Sequence, residues 1–247
     1  MLTKMSQENM DYADVLREAQ EKGYAESDPT ADVGGLDAAR KLVILASIAF
    51  NTRIDLSDVL VEGIDGLDLC DIEHGKELGY AIKLLAIAKN NAEHGISVCV
   101  RPTMLPVSHP LAGVNDVFNA VFVHGNVLGD AMFYGSGAGK LPTASAVVAD
   151  VVDCAKNKGR NIMMSWSEEK LDLLQIDDVK SRFFVRVSGH AAERQSEIEE
   201  LFGKVEIVAV PSLSEEFAFI TGEITEQEYR EKAEKLDGIQ SRIRARI

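Results

Sequence analysis

Apolar positions near the start of the chain recur at helical intervals. Within Ser6–Lys22, Tyr12 and Val15 are followed by Leu16 and Ala19 along one face, and Gly23 stops the run. Gly23 to Gly35 is a polar, acidic loop. Asp37–Asn51 is the next helix; after Lys41 it reads LVILASIAF, almost wholly apolar, which predicts a buried helix. Asp55–Leu60 is short enough for a turn or a single helical turn. Asp68–Leu78 is a further helix, ending in HGKELGY with a glycine stop.

The period then changes. Ala81–Lys89 alternates in part, NNAEHG at 90–95 is a polar hairpin turn, and Ile96–Val107 alternates at its start. Pro102 and Pro106 fall in that second strand, which predicts an edge position or a bulge. Asn119–Leu128 is a third strand with a turn near His124–Asn126, and Asp130–Tyr134 continues the sheet. Leu141–Lys156, with Pro142 and Thr143 near its start, is a helix. Residues 157–180 are polar and irregular and read as a linker with an ordered part around Trp166.

From 181 onward the order is clear: RFFVRVSG (strand), SEIEELFG (helix), KVEIVAV and EEFAFITGEI (strands), TEQEYREKAEKL (a helix capped by Thr225), IQSRIRARI (strand). That is βαββαβ, the split-βαβ order. The expected class is α+β: helices packed on a mixed, mainly antiparallel sheet, followed by a ferredoxin-like unit. The expected units are 1–157, a linker at 158–180, and 181–247.

Composition narrows the function. The 46% apolar content of 247 residues supports a sizeable core. The longest apolar run, Leu42–Phe50, is too short for a bilayer, and no secretory leader is visible. A net charge of −14 opposes binding to nucleic acid or an anionic membrane. Cys70, Cys99 and Cys154 form no CxxC pattern; they read as small buried hydrophobes in a reduced, cytoplasmic compartment. His109 lies before a turn and His124 in a strand. His74, His94 and His190 fall in polar loops or helix ends, with no HExxH or paired-ligand spacing, so no metal site is expected. No strand leads into GxGxxG. The glycine-rich GSGAGK at 135–140 lacks an acidic residue about twenty positions on, since Asp150 and Asp153 are too near, and it is not a Walker A loop.

The chemistry concentrates in Gly23–Lys41, GYAESDPTADVGGLDAARK, which carries Glu26, Asp28, Asp32, Asp37 and Lys41 and runs into an apolar helix. Charges at the edge of a core are costly unless they pair or bind something. Asp37 lies in the first turn, where the helix dipole favours an acid, and Lys41 lies one turn later on the same face. A partly desolvated lysine there can pass a proton near neutrality. Taken alone, the pair reads more simply as an ordinary i,i+4 ion pair, because such pairs are common. Glu26 can cap the loop, Asp32 can bond loop amides, and Lys41 can snorkel from a buried face. Asp28, before Pro29, is a turn former.

The whole segment resembles the substrate loop and catalytic helix of homoserine dehydrogenases. LTKM with DYADVLREAQEKG, HPLAGVNDVFNAV and GSGAGKLPTASAVVADVV resemble further segments of that family, and together they span roughly residues 1–157. The resemblance implies NAD(P)-dependent interconversion of L-homoserine and L-aspartate 4-semialdehyde, in threonine, methionine and isoleucine synthesis. It makes Lys41 the general acid/base and Asp37 its holder or a ligand for the substrate ammonium. Glu26 and Asp32 become substrate-binding carboxylates. Gly23, beside the loop, and Gly139, at the start of the Leu141 helix, are small enough to let the backbone approach NAD or NADP, and Gly139 can equally serve a tight strand-to-helix turn. The resemblance implies a homodimer and a nucleotide-binding domain absent from these residues. The chain is therefore expected to be a C-terminal portion, inactive alone. The last 67 or so residues resemble an ACT domain. Their SGHAAERQSE turn lacks the D-x-PG pattern of amino-acid-binding ACT domains, which points to subunit pairing. The alternative is a non-catalytic regulatory or assembly subunit with an amino-acid-sensing module.

Overall fold

A computed structural model describes residues 1–22, 25, 27–91, 95–161 and 167–245. The predicted first helix is two: α1 (Leu2–Glu8) and α2 (Tyr12–Glu21), because Asn9 turns into the left-handed region at φ 55°. A short helix, α3 (Thr30–Val33), interrupts the acidic loop, and α4 (Leu36–Phe50) follows it. After a 3₁₀ turn at Leu56–Asp58 come β1 (Leu60–Val61) and α5 (Leu69–Glu77). A reciprocal capping box opens α5: Asp68 accepts from the Asp71 amide, and Asp71 accepts from the Asp68 amide.

Next are β2 (Tyr80–Asn91) and β3 (Gly95–Pro106), an antiparallel hairpin in continuous register, then β4 (Phe118–Gly125), β5 (Gly129–Ser136) and α6 (Lys140–Lys156). The remainder is β6 (Lys180–Ser188), α7 (Ala191–Phe202), β7 (Glu206–Val208), β8 (Glu216–Ile220), β9 (Ile224–Thr225), α8 (Glu226–Ala233) and β10 (Ile239–Ala245).

Among the described residues one eight-stranded sheet runs through the molecule, β1-β3-β10-β6-β8-β7, with β2 along the other edge of β3 and β9 beside β6. Its C-terminal part, β10-β6-β8-β7, is antiparallel throughout and has the split-βαβ strand order. The join was not legible beforehand: β10 pairs in parallel with β3, through Arg244–Thr103 and Ala245–Met104.

That join corrects the reading of the prolines, since β3 is neither an edge strand nor bulged. Val100 accepts from the Glu62 amide (2.8 Å), so Pro102, of the same parity, turns its donor-less nitrogen toward the same side. There β1 pairing ends at Val100 and β10 pairing begins at Thr103. The missing donor falls in the gap between two partners, and Pro106 closes the strand.

Three apolar clusters hold the layers. α1, α2 and α5 pack through Met5, Val15 and Ile72 onto Ile82, Met104, Phe184 and Ile243. α7 and α8 pack through Ile198, Phe202 and Tyr229 onto Phe183, Phe217 and Phe219. α4 packs through Ala39, Leu42 and Ala46 onto Val98 and Val100. His74 is fully buried here, its Nδ1 2.8 Å from the Cys70 carbonyl and its ring edge-on to Phe184, and not in a polar helix end.

Other surfaces depart from expectation. Only one side of α4 is buried; Ile44, Leu45 and Ile48 are exposed. β4 and β5 form a two-stranded sheet apart from the main one, so Asp130–Tyr134 does not continue it. Phe118, Val121, Phe133 and Tyr134 on this hairpin are exposed, as are Val147, Val148 and Val151 on α6. Cys99 is buried as predicted, but Cys154 on α6 is exposed. Residues 167–174 are tied down: Asp172 accepts from the Ile96 amide (3.0 Å), and Thr52 donates to the Glu169 carbonyl (2.8 Å). Trp166 lies outside the described residues. No helix is long and apolar enough to cross a membrane among the described residues.

Candidate functional site

The turn Val33–Gly35 sets the position of the candidate site. Asp28 accepts from both the amide (3.1 Å) and the hydroxyl (2.6 Å) of Thr30, which makes it the turn former expected and holds its carboxyl below the usual range. α3 then runs for one turn. Gly35 sits at φ 81°, and a Cβ there would lie 3.0 Å from Val100 Cγ1 and 3.2 Å from Val61 Cγ1. Only glycine combines that left-handed backbone with so close an approach to the sheet. Its carbonyl accepts the Ala39 amide (2.9 Å), the first bond of α4. The start of the helix is therefore anchored to the sheet by the glycine before it.

Asp37 enters in the first turn of α4, and Lys41 Nζ donates to Asp37 Oδ2 at 2.7 Å. The two side chains are 46% and 70% exposed. Positions 37, 41, 44, 45 and 48 share one helix face. The ion pair therefore heads a stripe completed by the exposed Ile44, Leu45 and Ile48. A lysine nitrogen held by a carboxylate, next to an apolar strip open to solvent, can give a proton as the ammonium, or take one as the neutral amine, from a polar group laid against that strip. Asp32 is exposed in the first turn of α3, three residues before Gly35, whose amide it receives on its carbonyl (3.2 Å). Glu26 and Gly23 lie outside the described residues.

Gly139 directly precedes α6, at φ 118°. Among the described residues no side chain caps that terminus, and no residue of α6 is buried. A shallow cavity of about 330 Å³ lies further along α4, lined by Val43, Ile44 of the stripe, Ser47, Arg53 and Asp55. It does not include Lys41. Among the described residues no group of three His, Cys, Asp or Glu side chains converges as a metal site.

The model of the family described as homoserine dehydrogenase matches residues 1–152. The chain belongs to the homoserine dehydrogenase family. It is 52% identical over 157 residues to the homoserine dehydrogenase of Bacillus subtilis and 54% identical over 162 residues to that of Corynebacterium glutamicum. Each alignment covers 64% of this chain and 36% of the relative, so the chain spans about a third of the curated relatives it matches. The homoserine dehydrogenase structure from Thiobacillus denitrificans superposes on 99% of this chain and 61% of its own, at TM-score 0.86 and 34% identity. That from Staphylococcus aureus at pH 6.0 covers 100% and 62%, at TM-score 0.79 and 32% identity. These superpositions take in the C-terminal unit, where the family model does not reach.

One charged network was not anticipated. Glu62, after β1, accepts from Arg242 (3.0 Å) and Arg244 (2.9 Å) of β10; Arg244 also donates twice to Glu226 (2.8 Å each), which in turn receives Arg101 of β3 (3.1 Å). The available signal was Arg242 and Arg244, two apart on one face of a strand and alternating with Ile243 and Ala245.

Proposed function

We propose that this chain is the substrate-binding and catalytic part of an NAD(P)-dependent homoserine dehydrogenase, interconverting L-homoserine and L-aspartate 4-semialdehyde. The observation that carries the reading is the Asp37–Lys41 pair at the head of α4, within a segment that resembles the family's substrate loop. Both substrates carry an ammonium group, and the loop offers Glu26, Asp32 and Asp37 to receive it. In the oxidative direction the C4 hydroxyl proton passes to neutral Lys41 as the carbonyl forms. In the reverse direction the Lys41 ammonium protonates the developing alkoxide. Asp37 holds the ammonium in place. The nicotinamide, when bound, supplies or takes the hydride.

These residues hold the dinucleotide only at one end. Gly139 and the open first turn of α6 fit a polar group of the cofactor, and Gly23 is the second glycine proposed to lie against it. No strand-to-GxGxxG unit occurs in the 247 residues, so the remainder of the cofactor is held by chain outside them. The exposed apolar side chains of α6 and the α4 stripe suit burial against such a domain, and those of the β4–β5 hairpin suit a second copy of this chain. Residues 1–157 form the catalytic unit, 158–180 the connection and 181–247 an ACT-like unit that pairs subunits. The pathway is threonine, methionine and isoleucine synthesis in the cytoplasm.

The test is an assay of the 247-residue protein with and without a separately expressed nucleotide-binding domain, alongside calorimetry with L-homoserine. Binding of homoserine by the chain alone, with turnover only on complementation, is the expected result. Robust turnover by the chain alone overturns the need for the second domain. Threonine binding at residues 181–247 without homoserine binding at the acidic loop favours a regulatory subunit instead.

A further inference from the structure

We propose that Glu62 is a positioning residue, through which the C-terminal unit sets the turn that aims Asp37 and Lys41. The inference rests on the assignment of those two residues to the site.

The route is short and consists of direct contacts. The carboxylate of Glu62 is gripped by Arg242 and by both terminal nitrogens of Arg244. Arg244 is 3% exposed, and its other partner, Glu226, is 6% exposed. Withdrawing Glu62 would strand donors of a buried guanidinium, so the place of Glu62 is dictated by β10. Its backbone is equally constrained. The Glu62 amide donates to the Val100 carbonyl (2.8 Å), and the Ile64 amide donates to the Val33 carbonyl (2.8 Å). Between them, Gly63 is pressed against the end of α3: a Cβ there would lie 2.5 Å from the Val33 oxygen and 2.7 Å from Gly34 Cα. Backbone touching backbone has no side chain to absorb a shift, so a displacement of Glu62 reaches Val33 and Gly34. Gly35 is next, held to Asp32 by its amide and opening α4 with its carbonyl. A small rotation of that first turn moves Lys41, one turn further on.

Two arms test this. In the first, amide exchange is measured on the 247-residue chain and on Glu62→Ala, with Glu62→Gln as the same-shaped variant should the first fail to fold. The amides of Gly35, Ala39 and Ile64 are expected to exchange at least about tenfold faster, while those of Phe184 and Phe219 in the C-terminal sheet stay within about twofold. A uniform rise at all five, or no rise at any, overturns the proposal. In the second arm, the dehydrogenase complemented with its nucleotide-binding part is assayed. Glu62→Ala is expected to lower kcat about tenfold or more with the KM for the dinucleotide unchanged. An unchanged kcat overturns the role in positioning. If the complemented wild type shows no turnover, the functional reading fails, and the exchange arm still decides the mechanical coupling.

Discussion

Asp37 and Lys41 form a pair whose structural worth is small. Both are substantially exposed, and an i,i+4 pair of this kind contributes about 0.3–0.5 kcal/mol. Lys41→Ala is therefore expected to leave the denaturation midpoint almost where it was. The same substitution in the complemented enzyme is expected to lower kcat by about 10²- to 10⁴-fold, the usual worth of a positioned acid/base. An unchanged rate would remove Lys41 from the mechanism. Gly35 is the opposite case, a residue with no chemistry and a large structural role. Its φ of 81° and the nearness of Val100 and Val61 mean that Gly35→Ala brings both backbone strain and a clash. A loss of about 1–3 kcal/mol is expected in urea denaturation.

Whole elements carry their own instructions. α8 begins where Thr225 accepts from the Glu228 amide (3.1 Å) and Glu228 accepts from the Thr225 amide (2.8 Å). Thr225→Ala is expected to cost about 1 kcal/mol, read as a lower midpoint with an unchanged slope. That cap was legible in TEQEYREKAEKL because the pattern is local. α4 shows the limit of such reading. Its boundaries follow from GG before it and Asn51 after it, but an almost unbroken apolar run does not say which side faces the sheet. Ala39, Leu42 and Ala46 do, and Ile44, Leu45 and Ile48 do not. β3 erred the other way. Its prolines suggested an edge, yet the strand is central, because Pro102 happens to face a gap between partners that come from distant parts of the chain.

At the level of the molecule, the charge pairs that join Glu62 to β10 and Asp68 to β6 make the fold sensitive to acid. Burial alone would raise the Glu62 carboxyl, but the hydrogen bond and charge of Arg244, with Arg242 and Arg101 behind it, outweigh that and hold it below its ordinary 4.5. Asp68 is lowered below 3.8 in the same way, burial being overcome by Arg186. For such groups the unfolded chain binds the proton more tightly. Their stabilisation is complete above the unfolded values and is lost as pH falls through the folded ones. Asp71 is raised instead, chiefly by burial, and so opposes the trend by gaining stability as it protonates. The expected outcome is a stability that falls as pH drops through the ordinary carboxylate range, below about pH 4. Glu62→Gln should make that fall shallower. Equal slopes for the two proteins would show that Glu62 does not contribute.

From the sequence alone came what depends on near neighbours and on composition. The cap of α8, the extent of α4, the alternation of the strands, the βαββαβ order, the turn at Asp28 and the i,i+4 placement of Lys41 over Asp37 all follow from spacing within a few residues, whereas the break at Asn9 between α1 and α2 does not. Only the tertiary structure decided which strands meet, and with them the fate of every polar group that they bury. Arg101, Glu62, Glu226 and Arg244 lie up to 182 positions apart, as Glu62 and Arg244 do, and nothing local marks them as partners. Their pairing exists because β10 returns to lie beside β3, and a charge is tolerated in that interior only where its counter-charge has been brought to it.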